Sequence, residues 1–195
     1  MRVTGLGVLV LFASTSWAQS SLVGTSPQMG RVEGVNGAVT VTLPLKMEFS
    51  VWDRSDYTDT RCDLKKTGTV FVLTVEGFGT ATHLGMLTTR MTFCFDVSNG
   101  DYWDVDGSFV AANGDNLFFT GGGKVVPNEG NNSDYYQERF DDLFEIIGGS
   151  GRFEGASGSF NTNAWVHTPP ADDVADQWRT DFFSAGNINV VRGRR

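Results

Sequence analysis

The stretch EIIGGSGRFEGASGSF, residues 145–160, decides how this chain folds. An apolar run ends here in five glycines, at positions 148, 149, 151, 155 and 158. Glycine permits positive φ angles and close approach of two backbones. Because the residues that follow, GASGSFNTNAWV (155–166), alternate as a strand does, the segment predicts a sharp turn or bulge between two strands.

A phosphate-binding loop is the alternative interpretation of this segment, but its glycines do not have the spacing that such a loop needs. A dinucleotide-binding loop needs G-x-G-x-x-G between a strand and a helix. Gly149 and Gly151 fit the first two positions, but Glu154 stands at the third, where its carboxylate would repel a pyrophosphate. No G-K-[ST] follows either, so the sequence favours a structural turn.

Composition indicates one all-β domain. The chain has 195 residues, enough for a single domain with a sizeable core, and it contains 24 Gly and 15 Phe with few long helical patterns. The formal net charge is −8 at pH 7. An acidic protein lacks the basic face that nucleic acids and anionic membranes require, so we predict neither partner, while a neutral or apolar ligand remains open.

The first 18 residues have the pattern of a signal peptide. Arg2 precedes the apolar run LGVLVLFA (6–13), and Ser16 and Ala18 are small residues at the positions of a cleavage site. The run is shorter than the roughly 20 residues that span a bilayer, so we predict no membrane span and a secreted or periplasmic protein. A buried N-terminal strand is the alternative. Residues 19–36 form a lead-in, and residues 37–195 form the single barrel domain.

The two cysteines have one pairing available. In an oxidising compartment we expect a Cys62–Cys94 disulfide, and two unpaired thiols are the alternative. Neither cysteine has a second ligand at metal-binding spacing. The acids of DYWDVDG (101–107) also miss the calcium-loop pattern, since alignment on Gly107 puts Tyr102 at the first position. We therefore predict neither a metal nor a cofactor.

Alternating hydrophobicity marks the strands. Every odd position from 39 to 51 is apolar, and Pro44 marks a bulge, an edge or a break in this strand. Residues 69–78 are apolar on both faces and predict a central strand. In the strand that follows, the core-facing odd positions are Leu87, Met91, Phe93, Phe95 and Val97, which leaves Cys94 on the outside. Its disulfide would tie the charged loop at 51–68, which contains Cys62, to the sheet.

A hairpin is predicted within YWDVDGSFVAANGDNLFF (102–119). Trp103, Val105, Phe109 and Ala111 share one face, and Asn113-Gly114 supplies a primed two-residue turn. With strands also predicted at 135–147, 157–167 and 180–191, about eight antiparallel strands make either a sandwich or a closed barrel. A barrel removes exposed edges, and eight strands leave room for side chains or one small ligand.

Four segments carry a family resemblance. They are IIGGSGRFEGASG (146–158), GTATHLGMLT (79–88), AANGDNLFF (111–119) and FFSAGNINVV (182–191). Together they resemble the allene oxide cyclase-like and dirigent-like barrels of the calycin-like class, in particular a bacterial secreted branch. The resemblance implies a closed eight-stranded antiparallel barrel in which Phe153 plugs one end.

The resemblance also implies a function class without assigning catalytic residues. Named enzymes of the group cyclise reactive intermediates or orient radical coupling inside the barrel, and related barrels form dimers or trimers. The catalytic residues of the plant enzymes do not map onto this chain, because the glycine-rich segment 146–158 is the one that aligns and it contains no catalytic group. A shared fold alone does not establish an activity. We therefore carry three hypotheses: binding of a small hydrophobic molecule, a cyclase or isomerase acting by confinement, and a structural or interaction protein with a filled barrel.

Five residues are candidates for the site. Glu76 lies between apolar residues and is an acid or base if it points inward, or a solvated side chain if it points outward. His83 is either a general base at the barrel end or a turn histidine bonded to a backbone carbonyl. Asn113 and Asp115 either point to the barrel mouth as ligand contacts or only build the hairpin. Phe153 is either core or a gate.

Overall fold

The computed structural model describes residues 31–33, 38–55, 61–62, 69–130, 132–167 and 178–193. The predicted signal peptide lies outside them, as does most of the predicted lead-in. The strands among the described residues are β1 (Arg31–Glu33), β2 (Val39–Asp53), β3 (Val70–Ala81), β4 (Gly85–Asp96), β5 (Asp101–Ala111), β6 (Asn116–Lys124), β7 (Val126–Pro127), β8 (Glu138–Phe140), β9 (Leu143–Gly149), β10 (Ser157–Asn161), β11 (Ala164–His167) and β12 (Arg179–Arg192). One 3₁₀ turn spans Gly151–Phe153.

These segments form a closed eight-stranded antiparallel barrel, as predicted. Five barrel strands are continuous, namely β2, β3, β4, β5 and β12. The other three are interrupted and consist of β6 with β7, β8 with β9, and β10 with β11. The last strand pairs with the first along its length, from Arg179 opposite Trp52 to Arg192 opposite Val39. Pairing of the two end strands leaves the barrel no free edge there.

The alternation in the first barrel strand is confirmed. Met47, Phe49 and Val51 are buried, whereas Lys46 and Glu48 are exposed. Pro44 occupies an edge position, which was one of its three predicted alternatives. Pairing of β2 with β3 starts only at Met47, so no strand flanks Pro44 on that side and its missing N–H leaves no ladder hydrogen bond unmade.

Phenylalanine rings fill the middle of the barrel. Phe109 stacks on Phe119 with ring centroids 4.5 Å apart, and both lie against Phe160 at 5.9 and 5.5 Å. A glycine makes room for them, since a Cβ at Gly107 would lie 2.1 Å from the Phe119 ring. Such dense packing excludes water, and ring burial is a main source of stability for this fold.

The glycine-rich segment is a turn, as predicted. β9 ends at Gly149, the 3₁₀ turn follows, and β10 starts at Ser157 and pairs back antiparallel with β9. Phe153 lies within the turn, is 1% exposed and belongs to the main core. The turn therefore closes one end of the barrel, which we call the turn end. The β3–β4 and β5–β6 turns lie at the same end of the barrel. We call the opposite end the loop end.

The β5–β6 hairpin differs from its prediction in turn type. The Gly114 N–H donates to the Ala111 carbonyl, and the Ala111 N–H donates to the Asp115 carbonyl. Gly114 has φ 85°, but Asn113 has no positive φ. The connection is therefore a three-residue loop with glycine in the left-handed position, a common alternative to the primed turn.

The predicted facing of Trp103 is wrong. The register of β5 against β6 shifts between Tyr102 and Val105, and Asp104 has φ 52°. An extra residue in a strand reverses the alternation of side chains beyond it. As a result, Tyr102 joins the core and Trp103 packs outside. Val97 also differs from prediction, because β4 ends at Asp96 and Val97 is 55% exposed in the turn that follows.

The Cys62–Cys94 disulfide is confirmed. Both cysteines are buried, and they form a small second cluster with Val72, against which Val70 and Trp103 pack. This cluster lies on the outer face of the barrel, where the alternation placed Cys94. The disulfide therefore fastens Cys62 to the outside of β4.

No helix within the described part of the chain has the length and apolar character needed to cross a membrane.

Candidate functional site

An apolar cavity of about 90 Å³ lies inside the barrel at the loop end, and we call it the inner cavity. Seven of its lining residues are aromatic: Phe93, Phe95, Tyr102, Phe140, Phe144, Trp178 and Phe182. Seven others are aliphatic: Val51, Leu73, Val75, Met91, Val105, Val125 and Val166. The remaining three are Asp53, Glu138 and Thr180. A concave apolar site with a few polar groups is the usual form of a small-molecule site.

A wider and more polar groove adjoins the inner cavity. It has a volume of about 560 Å³ and shares Asp53, Leu73, Phe95 and Trp178 with the inner cavity. The backbone N–H of Asp53 donates to the Trp178 carbonyl at 3.1 Å, which ties the start of β12 to the end of β2. Trp178 therefore stands where the inner cavity meets the groove, with half of its surface exposed.

Glu138 is the ionisable residue of most interest in the cavity wall. It alternates with Phe140 in β8, so both lie on the inner face of the barrel. Within the described residues, its side chain has neither a hydrogen bond nor an ion pair. Burial disfavours a charged carboxylate, and it raises the pKa of Glu138 above the ordinary value.

The segment before β8 is held in place from outside the barrel. Tyr136 donates its hydroxyl hydrogen bond to Asp181 at 2.7 Å, and Arg179 binds both oxygens of the same carboxylate at 2.8 and 2.7 Å. Burial alone would raise the pKa of Asp181, but the hydrogen bonds from Arg179, Ser50 and Tyr136 lower it below its ordinary value. Because Tyr136 lies two residues before Glu138, this tether fixes the entry of β8 into the wall.

Tyr102 contributes its ring to the inner cavity and directs its hydroxyl into the wall. The hydroxyl donates to Asp142 at 2.7 Å. Burial raises the pKa of Tyr102 far above its ordinary value, and the hydrogen bond and the negative charge of Asp142 raise it further. The phenol therefore stays protonated at neutral pH and is committed to Asp142.

Two candidates from the sequence lie away from the inner cavity. Glu76 is on the outer face of the barrel and forms an ion pair with Arg90 at 2.6 Å. His83 occupies the β3–β4 turn with φ 69°, and its Nε2 lies 3.0 Å from the Pro44 carbonyl oxygen. Glu76 thus has the outward placement, and His83 has the backbone contact expected of a turn histidine.

The three ligand-binding candidates all lie at the turn end, opposite the inner cavity. Asn113 donates to Asp115 at 2.8 Å, and Asp115 forms an ion pair with Arg152 at 3.2 Å. The β5–β6 hairpin is thereby joined to the glycine-rich turn that carries Phe153. The structure brings these residues together as a closure of the barrel, and none of them lines the inner cavity.

Sequence reasoning missed Glu138, Tyr102 and Trp178. A signal for Glu138 was present, because it has the same even-numbered parity as Phe140 and Phe144 in a predicted strand. The inward position of Tyr102 was not predicted, because the bulge at Asp104 reverses the alternation of side chains in β5. Trp178 stands at the beginning of the last strand, and nothing in its local sequence indicates a position at a cavity mouth.

Comparison of the chain with protein family models finds no match, and comparison with curated proteins finds none either. The closed barrel is compatible with a calycin-like fold. The closer resemblance to allene oxide cyclase-like barrels therefore stays a prediction.

Proposed function

We propose that this protein is an exported barrel that binds a small hydrophobic molecule at its loop end. The observation that carries the proposal is the inner cavity, in which fourteen of seventeen lining residues are aromatic or aliphatic. The cavity admits the apolar end of a ligand, and the adjoining groove has room for the remainder. Apolar cavities stay poorly hydrated, so an apolar group that enters them gains free energy.

Export and family membership are parts of the same proposal. The disulfide fits the periplasm or the outside of the cell, where such bonds persist. The charged start, apolar run and small residues of positions 1–18 support a cleaved signal peptide. The closed barrel and the glycine-rich turn are compatible with an allene oxide cyclase-like protein. An assembly of two or three copies, as in related barrels, is tested by native mass spectrometry.

Native mass spectrometry of protein purified from its own host also tests ligand binding directly. We expect a species heavier than the polypeptide by the mass of one small molecule. Benzyl alcohol serves as a defined probe, with its binding followed by shifts of valine methyl signals in NMR spectra. We expect those of Val51, Val75 and Val166 to move, because these residues line the cavity.

A matched pair of variants on β5 gives the control. Val105 lines the inner cavity, and Val110 lies on the outer face of the same strand. Val105→Phe fills the cavity and should weaken benzyl alcohol binding at least about tenfold, whereas Val110→Phe should leave it within about twofold. Equal effects of the two variants would show that the probe binds elsewhere and would contradict the proposal.

A cyclase or isomerase is the second candidate, and Glu138 is the observation that favours it. A carboxyl group with a raised pKa in an apolar cavity is suited to general acid or base catalysis on a confined substrate. A molecule captured from the host should then change its structure on incubation with the protein. Glu138→Gln should abolish that conversion, while the cavity still binds benzyl alcohol. Recovery of the captured molecule unchanged favours binding alone.

A filled barrel with a structural role was the third hypothesis. It requires a barrel without an internal void, and the inner cavity argues against it. Absence of any bound species, together with unmoved methyl signals at saturating benzyl alcohol, would favour this third hypothesis over the other two.

A further inference from the structure

The charged groups that line the inner cavity all have the same sign. Asp53 and Glu138 contribute carboxylates, and no Lys, Arg or His is among the described lining residues. Asp53 accepts hydrogen bonds from the backbone N–H of Ser55 at 2.8 Å and from the Ser55 hydroxyl. Glu138 has no such partner within the described residues. Among the described residues, none compensates the Glu138 carboxylate in the cavity wall.

The basic residues that the structure describes near the cavity do not supply a positive charge to Glu138. Arg139 follows Glu138 in β8, but it is exposed and alternation puts it on the outer face. Arg179 lies at the start of β12, where its guanidinium is committed to Asp181. Arg54 lines only the outer groove and donates to the Asp53 carbonyl at 3.1 Å.

An unpaired carboxylate in an apolar wall is costly unless a cation compensates it. Aromatic rings also attract cations over their faces. Tyr102 lies between Phe93 and Phe140 in this wall, with ring centroids 5.9 and 5.4 Å apart. A ligand that combines an apolar body with a positive charge satisfies the carboxylate and the rings together.

We propose that the inner cavity selects small apolar amines, with the ammonium group of the ligand paired to the Glu138 carboxylate. This inference rests on the ligand-binding function proposed above and names the chemical class of its ligand. A carboxylate ligand, such as a fatty acid, is disfavoured because it places a second negative charge beside Glu138. A neutral alcohol fills the cavity and donates at most one neutral hydrogen bond to Glu138, without compensating its charge.

Three probes of similar shape separate these cases: benzylamine, benzyl alcohol and benzoate. Their affinities for the full exported chain are measured at pH 7 by isothermal titration calorimetry. We expect benzylamine to bind at least about tenfold more tightly than benzyl alcohol, and benzoate to bind most weakly. Glu138→Gln should reduce the preference for the amine to less than about threefold, mainly by weakening the binding of benzylamine.

Glu145→Gln is the matched control, because Glu145 lies exposed in β9. It removes the same charge from the protein and should keep the preference for the amine, which separates local pairing from overall attraction by an acidic protein. Glu138→Met replaces Glu138→Gln if the latter does not fold. We expect it to lose the preference for benzylamine over benzyl alcohol to the same extent.

Equal affinities for benzylamine and benzyl alcohol would overturn the inference, and so would a preference that survives in Glu138→Gln. In both cases, binding of benzyl alcohol would still support the proposed function, which is the binding of a small hydrophobic molecule. If none of the three probes binds and no ligand accompanies the protein from its host, the inference and the proposed function fail together.

Discussion

At the scale of single residues, the interior depends on one glycine that makes space for a ring. A Cβ at Gly107 would lie 2.1 Å from Phe119, and Phe109, Phe144 and Phe160 surround that ring. The ring therefore cannot move aside. We expect Gly107→Ala to lower the free energy of unfolding by about 1–3 kcal/mol, measured by urea denaturation.

Gly193→Ala is the control for this prediction, because a methyl group at that position would have no atom within 4 Å and the φ of Gly193 is ordinary. It should leave stability nearly unchanged. Phe119→Leu in the Gly107→Ala background should cost less than the sum of the two single changes, since the smaller side chain relieves the clash. Full additivity would show that the ring is not the obstacle.

A second prediction at this scale concerns Glu138 and pH. Because burial raises its pKa in the folded state, the unfolded chain loses this proton at lower pH than the folded protein does. Stability therefore falls as pH rises from the unfolded pKa through the folded one. Glu138→Gln should match the wild type below the ordinary pKa of Glu and exceed it at pH 7, by less than about 1 kcal/mol, since solvent still reaches the group.

Urea denaturation of both proteins between about pH 3.5 and about pH 7, which covers the range where Glu titrates, measures this difference. Glu145→Gln should show no comparable pH-dependent gain, because Glu145 is exposed on the outer face of β9. A gain of equal size in both variants would trace the effect to the net charge of the protein instead of to the cavity.

At the scale of elements, the glycine-rich turn needs glycine for two reasons, a positive φ and a lack of space for a Cβ atom. A pair of variants can separate these two reasons. Gly151 has φ 62°, and a Cβ there would lie 1.9 Å from the Asp115 carboxylate. Gly155 has φ 69°, but its nearest neighbour would lie at an ordinary 3.5 Å. Gly155→Ala should therefore cost about 1–2 kcal/mol of stability from backbone conformation alone, and Gly151→Ala should cost more.

The same comparison tests the link between the turn and the β5–β6 hairpin. Asp115→Ala in the Gly151→Ala background should recover part of the lost stability by removing the clash, even though it breaks the Asp115–Arg152 ion pair. The Arg152 side of this ion pair is about half exposed, so solvent weakens the pair and the relief should dominate. Thermal unfolding, followed by circular dichroism, ranks the variants by stability. Equal losses of stability in Gly151→Ala and Gly155→Ala would show that the clash with Asp115 does not occur.

At the scale of the whole molecule, the disulfide constrains the unfolded chain. Its two cysteines are 32 residues apart. Closure of a loop of this length should contribute about 3–4 kcal/mol, because it removes conformations from the unfolded ensemble. The Cys62→Ser, Cys94→Ser double variant should lose stability of this order in urea denaturation and keep the barrel fold. Thiol titration of the exported protein should find no free sulfhydryl, and two free thiols would contradict the bridge in the native protein.

Local features were predictable from the sequence, and longer-range ones were not. The strand at 39–51 and the turn at 148–158 follow from side-chain alternation and from glycine, which act over a few residues. Trp103 was misplaced because one bulge residue at Asp104 reverses alternation, and a bulge is settled by pairing with β4 and β6. The candidate site was predicted less well, since Glu76 and His83 had suitable chemistry but lie away from the cavity.

The sequence by itself determined an all-β chain, the turn that seals one end and the pairing of its two cysteines, because each depends on neighbours along the chain or on a single available partner. Only the tertiary structure decided where the hollow lies and which residues face it. Glu138, Tyr102 and Trp178 come from separate parts of the chain, and closure of β12 onto β2 brings them to one end of the barrel. The physical reason is that a cavity is the space that packing leaves unfilled, and this depends on every strand of the barrel at once.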